Sequence, residues 1–375
     1  MADVVVVGGG LVGAACAYEL AGDGTSVVVV DAHDAGRATD AGAGILSPET
    51  ALSASSDDAF VALGDLAGEH YRALVPELAE AGAPDPCYAV CGALRIAFRE
   101  VDDPFYAENR ARSFARHADV LVDVAPDDAC AMFPPLAGVR AAYFNPRGAR
   151  VDGRAMAAAL VHGAGARGVQ WQHVRASRVR VDHARVTAVE TVDGDELACG
   201  TVVVAGGAWT PEIARSLGCD VAVRPQRGQI VHLRVGGDGA GDTARWPVLQ
   251  PVLSHYVVPW PDGRVALGAT MEEVGFDSRP TVGGIRQLLS EGLRLAPGLA
   301  DATFLEVRVG LRPVSDDDLP VLGAVPGVDG AFVATGHGAN GLLLGPVSAR
   351  LLAQLVRGDS PALDLAPFAI DRFAR

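Results

Sequence analysis

The chain begins with a glycine-rich turn between two strongly apolar segments. DVVVV precedes Gly8-x-Gly10-x-x-Gly13, the helical stretch LVGAACAYELAGDG follows, and SVVVVD comes next. Continuous apolar runs of this kind are typical of parallel strands that are covered on both faces. The first glycine permits a tight turn, the second permits close approach of the backbone to a ligand, and the third lets the helix pack on the strand. The segment therefore predicts a βαβ unit that opens a Rossmann-type domain.

Asp31 ends the second of these strands and completes the pattern of a dinucleotide site. In such sites the pyrophosphate lies at the helix N-terminus, where N–H groups and the helix dipole stabilise negative charge. An acidic residue about 20 residues further on accepts hydrogen bonds from the adenosine ribose. FAD and NAD share this fingerprint, so the segment predicts a dinucleotide and leaves its identity open.

Two further apolar strands lie far along the chain, TVVVAGGAW at 201–209 and GAFVATG at 330–336. If they join the first sheet, the nucleotide domain is discontinuous. The segments between them also resemble strands, but strands joined by hairpins. Pro261-Asp262-Gly263 predicts one such hairpin turn. Hairpins indicate an antiparallel sheet, so the predicted fold is mixed α/β, with a Rossmann-type domain and a discontinuous antiparallel-sheet substrate domain.

The expected domain boundaries follow from these two kinds of strand pattern. Residues 1–84, 141–218 and 308–375 are assigned to the dinucleotide-binding domain, and residues 85–140 and 219–307 to the substrate domain. Apolar spacing predicts helices near 57–82, 104–118, 153–167 and 283–296.

The balance of charge excludes several classes of partner and mechanism. The formal net charge of the 375-residue chain is -15, and its 31 basic residues are all arginine. Such acidity argues against nucleic acid or an anionic membrane surface as partner. The absence of lysine from the sequence excludes a P-loop and any Schiff base on a protein amine.

The N-terminus and the cysteines indicate the expected location. MADVVVV carries an acid where a signal peptide carries basic residues, and no apolar run is expected to be long enough to span a membrane. We therefore expect a cytoplasmic protein without an integral membrane segment, and the sequence is compatible with a homo-oligomer. Six scattered cysteines are too few for a disulfide framework, so we expect reduced, buried thiols and no metal site.

Six segments occur in an order that is specific in combination. They are GGGLVGAACAYEL (8–20), AGAGILSPE (41–49), GGAWT (206–210), GRVALGATM (263–271), VGLRPVSDDDLPVLG (309–323) and ATGHGANGLLLGP (334–346). In this order they resemble the FAD-dependent D-amino-acid oxidase superfamily, and within it the glycine oxidase or D-amino-acid dehydrogenase-like branch. The resemblance spans nearly the whole chain and implies FAD rather than NAD.

The resemblance implies contacts with the cofactor. AGAGIL is similar to the loop against the flavin ring, and TGHGANGLL to the turn and helix start beneath its pyrimidine end. A helix N-terminus there would stabilise the negative charge of reduced flavin. Together with the glycine fingerprint, the cofactor-binding residues expected are Gly8, Gly10, Leu11, Val12, Gly13, Asp31, Ala32, Thr39, Ala43, Gly44, Ile45, Ala176, Gly336, His337, Gly338, Ala339, Asn340, Gly341 and Leu342.

The resemblance also implies substrate contacts. Arg312 in GLRP matches the arginine that binds the amino-acid carboxylate, a task that suits a planar guanidinium. Tyr256 matches a tyrosine that adds a hydroxyl, although packing across the hairpin is the alternative. Met271 matches a pocket wall, and a place in the core is an equal alternative. Arg308, on the same strand face, has no matched role and is expected to pair with Glu306 or another acid.

One position departs from the family. Glycine oxidases carry an arginine in the turn that matches HGANG, and this chain has Ala339 there. A second cationic contact is therefore expected to be missing, and the pocket to be larger and more apolar. His255 and His337 are candidate polar residues of its lining, with a structural role as the alternative.

The activity implied is oxidative deamination of glycine or a small D-amino acid, by hydride transfer to flavin N5, to a 2-oxo acid and ammonia through an imine. No protein base is required. The sarcosine-oxidase relatives attach FAD covalently to a cysteine near the C-terminal third, and no cysteine follows Cys219 here, so the resemblance implies noncovalent FAD. Without the lysine that some relatives use for oxygen reduction, oxygen and another electron acceptor both stay open. The alternatives are a secondary-amine (sarcosine- or proline-like) oxidase or dehydrogenase, an NAD-binding dehydrogenase of different fold, and a non-catalytic flavin-binding protein.

Overall fold

The computed structural model describes residues 2–50, 58–236 and 243–373. The strands in these ranges are β1 (Ala2–Val7), β2 (Val27–Val30), β3 (Ile45–Leu46), β4 (Ala89–Val90), β5 (Ala93–Ala97), β6 (Val122–Val124), β7 (Ala141–Asn145), β8 (Ala149–Arg150), β9 (Gln170–Gln172), β10 (Ala176–Asp182), β11 (Arg185–Thr191), β12 (Glu196–Val204), β13 (Val223–Arg234), β14 (Val248–Pro251), β15 (Tyr256–Pro259), β16 (Arg264–Gly268), β17 (Thr303–Ser315), β18 (Val321–Ala324) and β19 (Ala331–Thr335). The helices in the same ranges are α1 (Leu11–Leu20), α2 (Ala38–Ala41), α3 (Asp58–Glu80), α4 (Asp103–His117), α5 (Pro126–Met132), α6 (Gly153–Ala166), α7 (Thr210–Ala214), α8 (Val282–Leu295) and α9 (Gly341–Arg357).

The first sheet is parallel at its centre and contains the glycine-rich βαβ unit. β1 pairs in parallel with β2 on one side and β12 on the other, and β12 pairs in parallel with β19. Val5, Val29 and Val203 are fully buried, as expected of strands that are covered on both faces. The first sheet is thus assembled from strands that are widely separated in sequence.

The second sheet is the predicted antiparallel one. Its strand order is β17-β13-β16-β15-β14-β5-β7-β6, and among these pairs only β14 and β5 run parallel. β15 and β16 form the hairpin predicted at 261–263, where Gly263 has φ 78. β13 and β17 pair from Val223 opposite Ser315 to Arg234 opposite Thr303. This long pairing, at one edge of the sheet, sets Gly228 opposite Gly310 near its middle.

Helices cover one face of the first sheet. α1 packs against α6 and α9, and α3 packs against α9. Their shared core contains large buried side chains such as Leu63, Tyr71 and Leu344. The predicted helices at 57–82, 104–118, 153–167 and 283–296 are present as α3, α4, α6 and α8.

Strand pairing suggests different domain boundaries from those expected. β7 pairs with β5 and β6 in the second sheet, although its residues were assigned to the dinucleotide domain. β17 stays paired with β13 through Ser315, well past residue 308. We therefore propose that the substrate domain runs through Asn145 in its first part and through Ser315 in its second.

The expectation about membrane-spanning length needs correction at α9. The helical segment Gly338–Arg357 is long and apolar enough, by length and composition, to cross a membrane. In the fold 56% of its apolar window is buried inside the protein. Because α9 packs on α1 and α3, its apolar character is explained as that of a core helix.

The thiols are less uniformly buried than expected. Cys16 and Cys199 are buried, whereas Cys87 is exposed, and none of the six is in a disulfide. Burial raises the pKa of Cys16 to about 12 and that of Cys199 to about 11, so both stay protonated near neutral pH. Within the described ranges, no group of three or more His, Cys, Asp or Glu side chains is arranged to hold a metal ion.

Candidate active site

A cavity of about 380 Å³ lies where the carboxyl ends of the parallel strands meet the second sheet. From the first sheet it is lined by residues at or just after the ends of β1, β2, β12 and β19. From the second it is lined by side chains such as Ile230, Tyr256 and Arg312. Ligands of open α/β sheets bind at this edge, so the cavity has the position that the fold predicts for a dinucleotide.

The glycine fingerprint shapes one end of the cavity. Gly8 has φ 106, and a Cβ there would lie 2.5 Å from the Ala205 carbonyl oxygen. A Cβ on Gly13 would lie 1.9 Å from the Gly8 carbonyl oxygen, so this position requires glycine for helix packing. Gly10 caps α1 without a side-chain hydrogen bond, and the Leu11 amide donates to Thr39 Oγ1 at 2.9 Å. The N-terminus of α1 therefore faces the cavity without a side chain from its own cap residue, while Thr39 satisfies the Leu11 amide.

Charged side chains surround the same end of the cavity and pair with one another. Asp31 Oδ2 lies 3.0 Å from Arg37 Nη1, and Arg37 Nε also contacts Asp40 at 3.1 Å. Arg175 pairs with Asp34 beside Ala176. Both arginines at this end thus have carboxylate partners.

The start of α9 forms another wall. Asn340 caps this helix without a side-chain hydrogen bond, and residues 337–343 line the cavity. His337 is only 3% exposed, and its Nε2 lies 3.0 Å from Ser348 Oγ. Burial lowers the pKa of His337 to about 4, so the imidazole is neutral near pH 7. Its side chain therefore fixes the turn to the helix that follows.

Arg312 lies on β17 at the other end of the cavity, among neutral partners. Its Nη1 donates to the Thr270 carbonyl oxygen at 3.0 Å and to Gln226 Oε1 at 3.4 Å. Burial raises the pKa of the nearby Tyr256 hydroxyl to about 12, although the positive charge of Arg312 acts in the opposite direction. None of these partners, all within the described residues, neutralises the guanidinium. The site thus holds a cation and a protonated hydroxyl side by side, an arrangement that suits a carboxylate.

The loop at 270–281 supports Arg312 through a second arginine. Arg227, 4% exposed, pairs with Glu272 at 2.6 Å and with Asp277 at 3.2 Å. Gln229 Nε2 and Thr270 Oγ1 each donate to Glu272 Oε1 at 2.7 Å. Burial raises the Glu272 pKa, but these hydrogen bonds outweigh it and lower the pKa to about 2. The carbonyl that orients Arg312 therefore belongs to a firmly anchored loop.

Most predicted site residues meet in this one cavity, and four do not line it. Gly13 serves the packing described above, and Gly336 has φ 73 at a turn beside Val321. Met271 is 72% exposed and lies outside the lining, which does not favour the predicted pocket wall. His255 is also outside, near Gln287. Arg308 pairs with Glu306 at 2.7 Å, as expected.

Sequence reasoning missed several residues that line the cavity. Arg37 and Arg175 lie at the nucleotide end, Trp209 lies in the GGAWT segment, and Arg95 and Gln250 lie on the second sheet. Trp209 packs against Phe276 of the 270–281 loop with ring centroids 5.4 Å apart. A signal for Arg95 was present: in CGALRIAF it is the one charged residue of an otherwise apolar strand.

The chain is similar to known flavoproteins over nearly its full length. Residues 3–355 match the family model DAO, described as FAD dependent oxidoreductase. A glycine oxidase of Pseudomonas aeruginosa is 35% identical over 98% of each chain. The crystal structure of iminodiacetate oxidase from Chelativorans sp. BNC1 aligns with a TM-score of 0.91, 34% identity and 98% coverage of each chain. That of glycine oxidase from Geobacillus kaustophilus aligns with a TM-score of 0.91 and 30% identity, over 100% of this chain and 99% of the other.

FAD fits the cavity by the geometry of this chain alone. The N-terminus of α1, where Gly10 provides no side-chain cap, suits a pyrophosphate, and Asp31 beside it suits a ribose. The uncapped start of α9 suits the end of the flavin where negative charge develops on reduction. With the match over residues 3–355, these features show that the chain belongs to the DAO family of FAD-dependent oxidoreductases and to its glycine oxidase-like branch, whose members oxidise amines.

Proposed function

We propose that this enzyme oxidatively deaminates a small amino acid, glycine or a D-amino acid, to a 2-oxo acid and ammonia. The observation that carries the proposal is the guanidinium of Arg312, which lines the cavity among neutral partners next to Tyr256. A cation in that setting favours an anionic group of the substrate. Similarity to a glycine oxidase that is 35% identical supports the same class of substrate.

The chemistry comes from the cofactor. When bound, FAD would supply the two-electron oxidation of the substrate amine to an imine, proposed to occur by hydride transfer to flavin N5, and water would hydrolyse that imine. The described lining of the cavity contains no cysteine, which supports noncovalent attachment.

The role proposed for this chain is to hold the substrate in one orientation. Arg312 would bind both carboxylate oxygens through its planar fork, and the Tyr256 hydroxyl would donate to one of them. Fixing the carboxylate directs the Cα–H bond toward the flavin and removes orientational freedom that the reaction would otherwise have to lose. Thr270, held in the anchored 270–281 loop, keeps Arg312 in place.

The cofactor contacts are proposed from the same geometry. Asp31 would accept from the ribose, the first turn of α1 would hold the pyrophosphate, and the backbone of Ala176 would meet the adenine. Residues 43–45 would lie against the flavin ring, and a Cβ on Gly44 would lie 1.7 Å from the Val151 carbonyl oxygen, so this loop requires glycine.

A secondary amine is the other candidate, and Ala339 favours it. The methyl group of Ala339 lines the cavity where a family arginine would take up space. An N-substituent on the substrate could occupy that volume. The similarity to a protein named iminodiacetate oxidase, 34% identical, supports this alternative.

Anaerobic titration of the purified flavoprotein tests the proposal. We expect the flavin absorbance to bleach with glycine or certain D-amino acids and to stay unchanged with their L-enantiomers. Arg312→Gln should keep the flavin spectrum but raise KM by about 10²-fold, the equivalent of one charge-assisted hydrogen-bond pair. Bleaching only by N-substituted amines would favour the secondary-amine alternative. A flavoprotein that no amine reduces would refute both. Oxygen consumption during turnover then distinguishes an oxidase from a dehydrogenase.

A further inference from the structure

A second arginine lines the substrate end of the cavity without a carboxylate partner. Arg95 lies on β5 and contributes to the lining together with Gln250 of β14, which stands opposite it in the sheet. Its Nε donates to Asn109 Oδ1 at 3.2 Å. Among the described residues, no carboxylate oxygen pairs with it within 4.0 Å.

The other arginines of the cavity show why this is unusual. Arg37 is neutralised by Asp31 and Asp40, and Arg175 by Asp34. Arg95 and Arg312 differ from them, since both have only neutral hydrogen-bond partners in the described part of the chain. Removing a cation from water without a counter-charge is costly, and burial lowers the Arg95 pKa accordingly. An anion from outside the chain would relieve that cost.

The hydrogen bond that Arg95 makes fixes one side of its side chain. Asn109 Oδ1 also accepts from the Tyr143 hydroxyl at 2.7 Å, and Asn109 is 8% exposed on α4. This buried pair holds the Nε side of Arg95 and uses a single donor of a group that has five. Arg95 is thereby held at the wall of the cavity, and this contact leaves its other N–H donors for a ligand.

Arg95 and Arg312 are within reach of one small molecule. β5 lies two strands from β15 in the sheet, so the backbones of Arg95 and Tyr256 are about 10 Å apart across the sheet. Tyr256 in turn lines the same cavity as Arg312, whose positive charge acts on its hydroxyl. A ligand that spans this distance would meet a cationic group at each end.

We propose that the preferred substrate carries a second carboxylate and that Arg95 binds it, while Arg312 and Tyr256 bind the α-carboxylate. The class comprises acidic D-amino acids and amines that bear two carboxymethyl-like arms. This inference rests on the proposed function and narrows it. It also supplies the second cationic contact that Ala339 leaves missing, at a different position in the cavity.

Matched substrates test the inference on the holoenzyme. D-glutamate is compared with D-glutamine, D-aspartate with D-asparagine, and iminodiacetate with sarcosine. We expect the wild type to show a kcat/KM at least tenfold higher for the diacid of the preferred pair. Arg95→Gln should lower kcat/KM for that diacid by about 10²-fold and change that of its neutral counterpart less than threefold. Arg95→Lys should recover part of the loss, because it restores the charge but not the fork.

Arg140→Gln serves as the matched control. Arg140 lies next to β7 and pairs with the exposed Asp103, outside the cavity. Its substitution should leave every substrate ratio unchanged. A wild type that treats acid and neutral counterpart alike, or an Arg95→Gln enzyme that loses both equally, would overturn the inference while leaving amine oxidation intact.

A binding measurement keeps the test decisive if the variant turns over poorly. Glutarate and its monoamide are titrated against the flavin absorbance of the wild type and of Arg95→Gln. We expect the wild type to bind glutarate at least tenfold more tightly than the monoamide, and the variant to bind the two alike. Equal binding by the wild type contradicts the role of Arg95. If no amine reduces the flavin although glutarate binds selectively, the proposed function fails and the anion site stands.

Discussion

The guanidinium of Arg312 lies directly against the Cα of Gly228 on the neighbouring strand. A Cβ at Gly228 would stand 2.4 Å from Arg312 Nη2 and 2.6 Å from its Cζ. The register of β13 and β17, with Gln226 opposite Arg312 and Gly228 opposite Gly310, produces this contact. The missing side chain of Gly228 therefore sets where the cation lies.

Gly228→Ala should displace that cation without loss of the cofactor. The added methyl group overlaps the guanidinium, and we expect KM for the amino acid to rise tenfold or more while the flavin spectrum is retained. Gly200→Ala is the matched control, because a Cβ there meets nothing within 4 Å. Steady-state kinetics with an unchanged KM for Gly228→Ala would show that the position of Arg312 does not matter.

Tyr256 should act as a protonated donor across the working pH range. Burial raises its pKa to about 12, so its hydroxyl does not titrate below about pH 11. Tyr256→Phe should raise KM about five- to tenfold, which corresponds to one hydrogen bond. The kcat/KM profiles of wild type and variant between pH 8 and 10.5 should be parallel. A basic limb present in the wild type and absent from the variant would contradict this assignment.

Asp31 should contribute to FAD affinity. A carboxylate that accepts from ribose hydroxyls makes charge-assisted bonds, so we expect Asp31→Asn to weaken FAD binding about 10- to 100-fold. Fluorescence titration of apoprotein with FAD measures the change. Asp329→Asn, which removes an exposed partner of Arg185, is the control. Equal FAD affinity in wild type and Asp31→Asn would exclude the ribose contact.

Glu272 should stabilise the protein above its unfolded-state pKa. Its pKa falls from 4.5 to about 2 on folding, because the hydrogen bonds from Arg227, Gln229 and Thr270 outweigh burial. A depressed carboxyl pKa gives stability that is complete above about pH 4.5 and is lost as the pH falls toward 2. Glu272→Gln should therefore lower the free energy of unfolding at pH 7 by roughly 2–3 kcal/mol in urea titrations. A change below about 0.5 kcal/mol would mean that the loop is anchored by other contacts.

His232 should make stability depend on pH in a milder range. Burial lowers its pKa from 6.5 to about 4, helped by Arg308 and Arg264 and opposed by Glu306 and Asp152. Between about pH 6.5 and pH 4, the unfolded chain binds a proton at His232 that the folded chain does not bind. The stability is therefore complete above about pH 6.5 and declines as the pH falls toward 4.

The measurement compares unfolding free energies at pH 7.5 and pH 5.0. His232→Gln should reduce the difference between them by roughly 1–2 kcal/mol. His183, whose side chain is 94% exposed, gives the control variant His183→Gln, for which the difference should not change. The same pH dependence in His232→Gln and wild type would contradict the prediction.

Local sequence was sufficient for the dinucleotide end of the molecule. The turn, the helix start and Asp31 fall within one short βαβ unit, so spacing alone predicts that Gly8, Gly10 and Asp31 face a common ligand. The hairpin at 261–263 and the main helices were predictable for the same reason, because turn residues and apolar periodicity act over a few residues. The exposed position of Met271 was not predictable, since a strand end gives no local signal of the direction in which the chain leaves the sheet.

By itself, then, the sequence determined the dinucleotide fold, the exclusion of lysine chemistry and the identity of the arginines available to bind anions. Only the tertiary structure decided which of those arginines are neutralised. Arg37, Arg175 and Arg308 find acid partners, whereas Arg95 and Arg312, far apart in sequence, share one cavity among neutral groups. The reason is physical: the energy of a charge depends on its neighbours in space, and strand pairing between distant segments sets those neighbours.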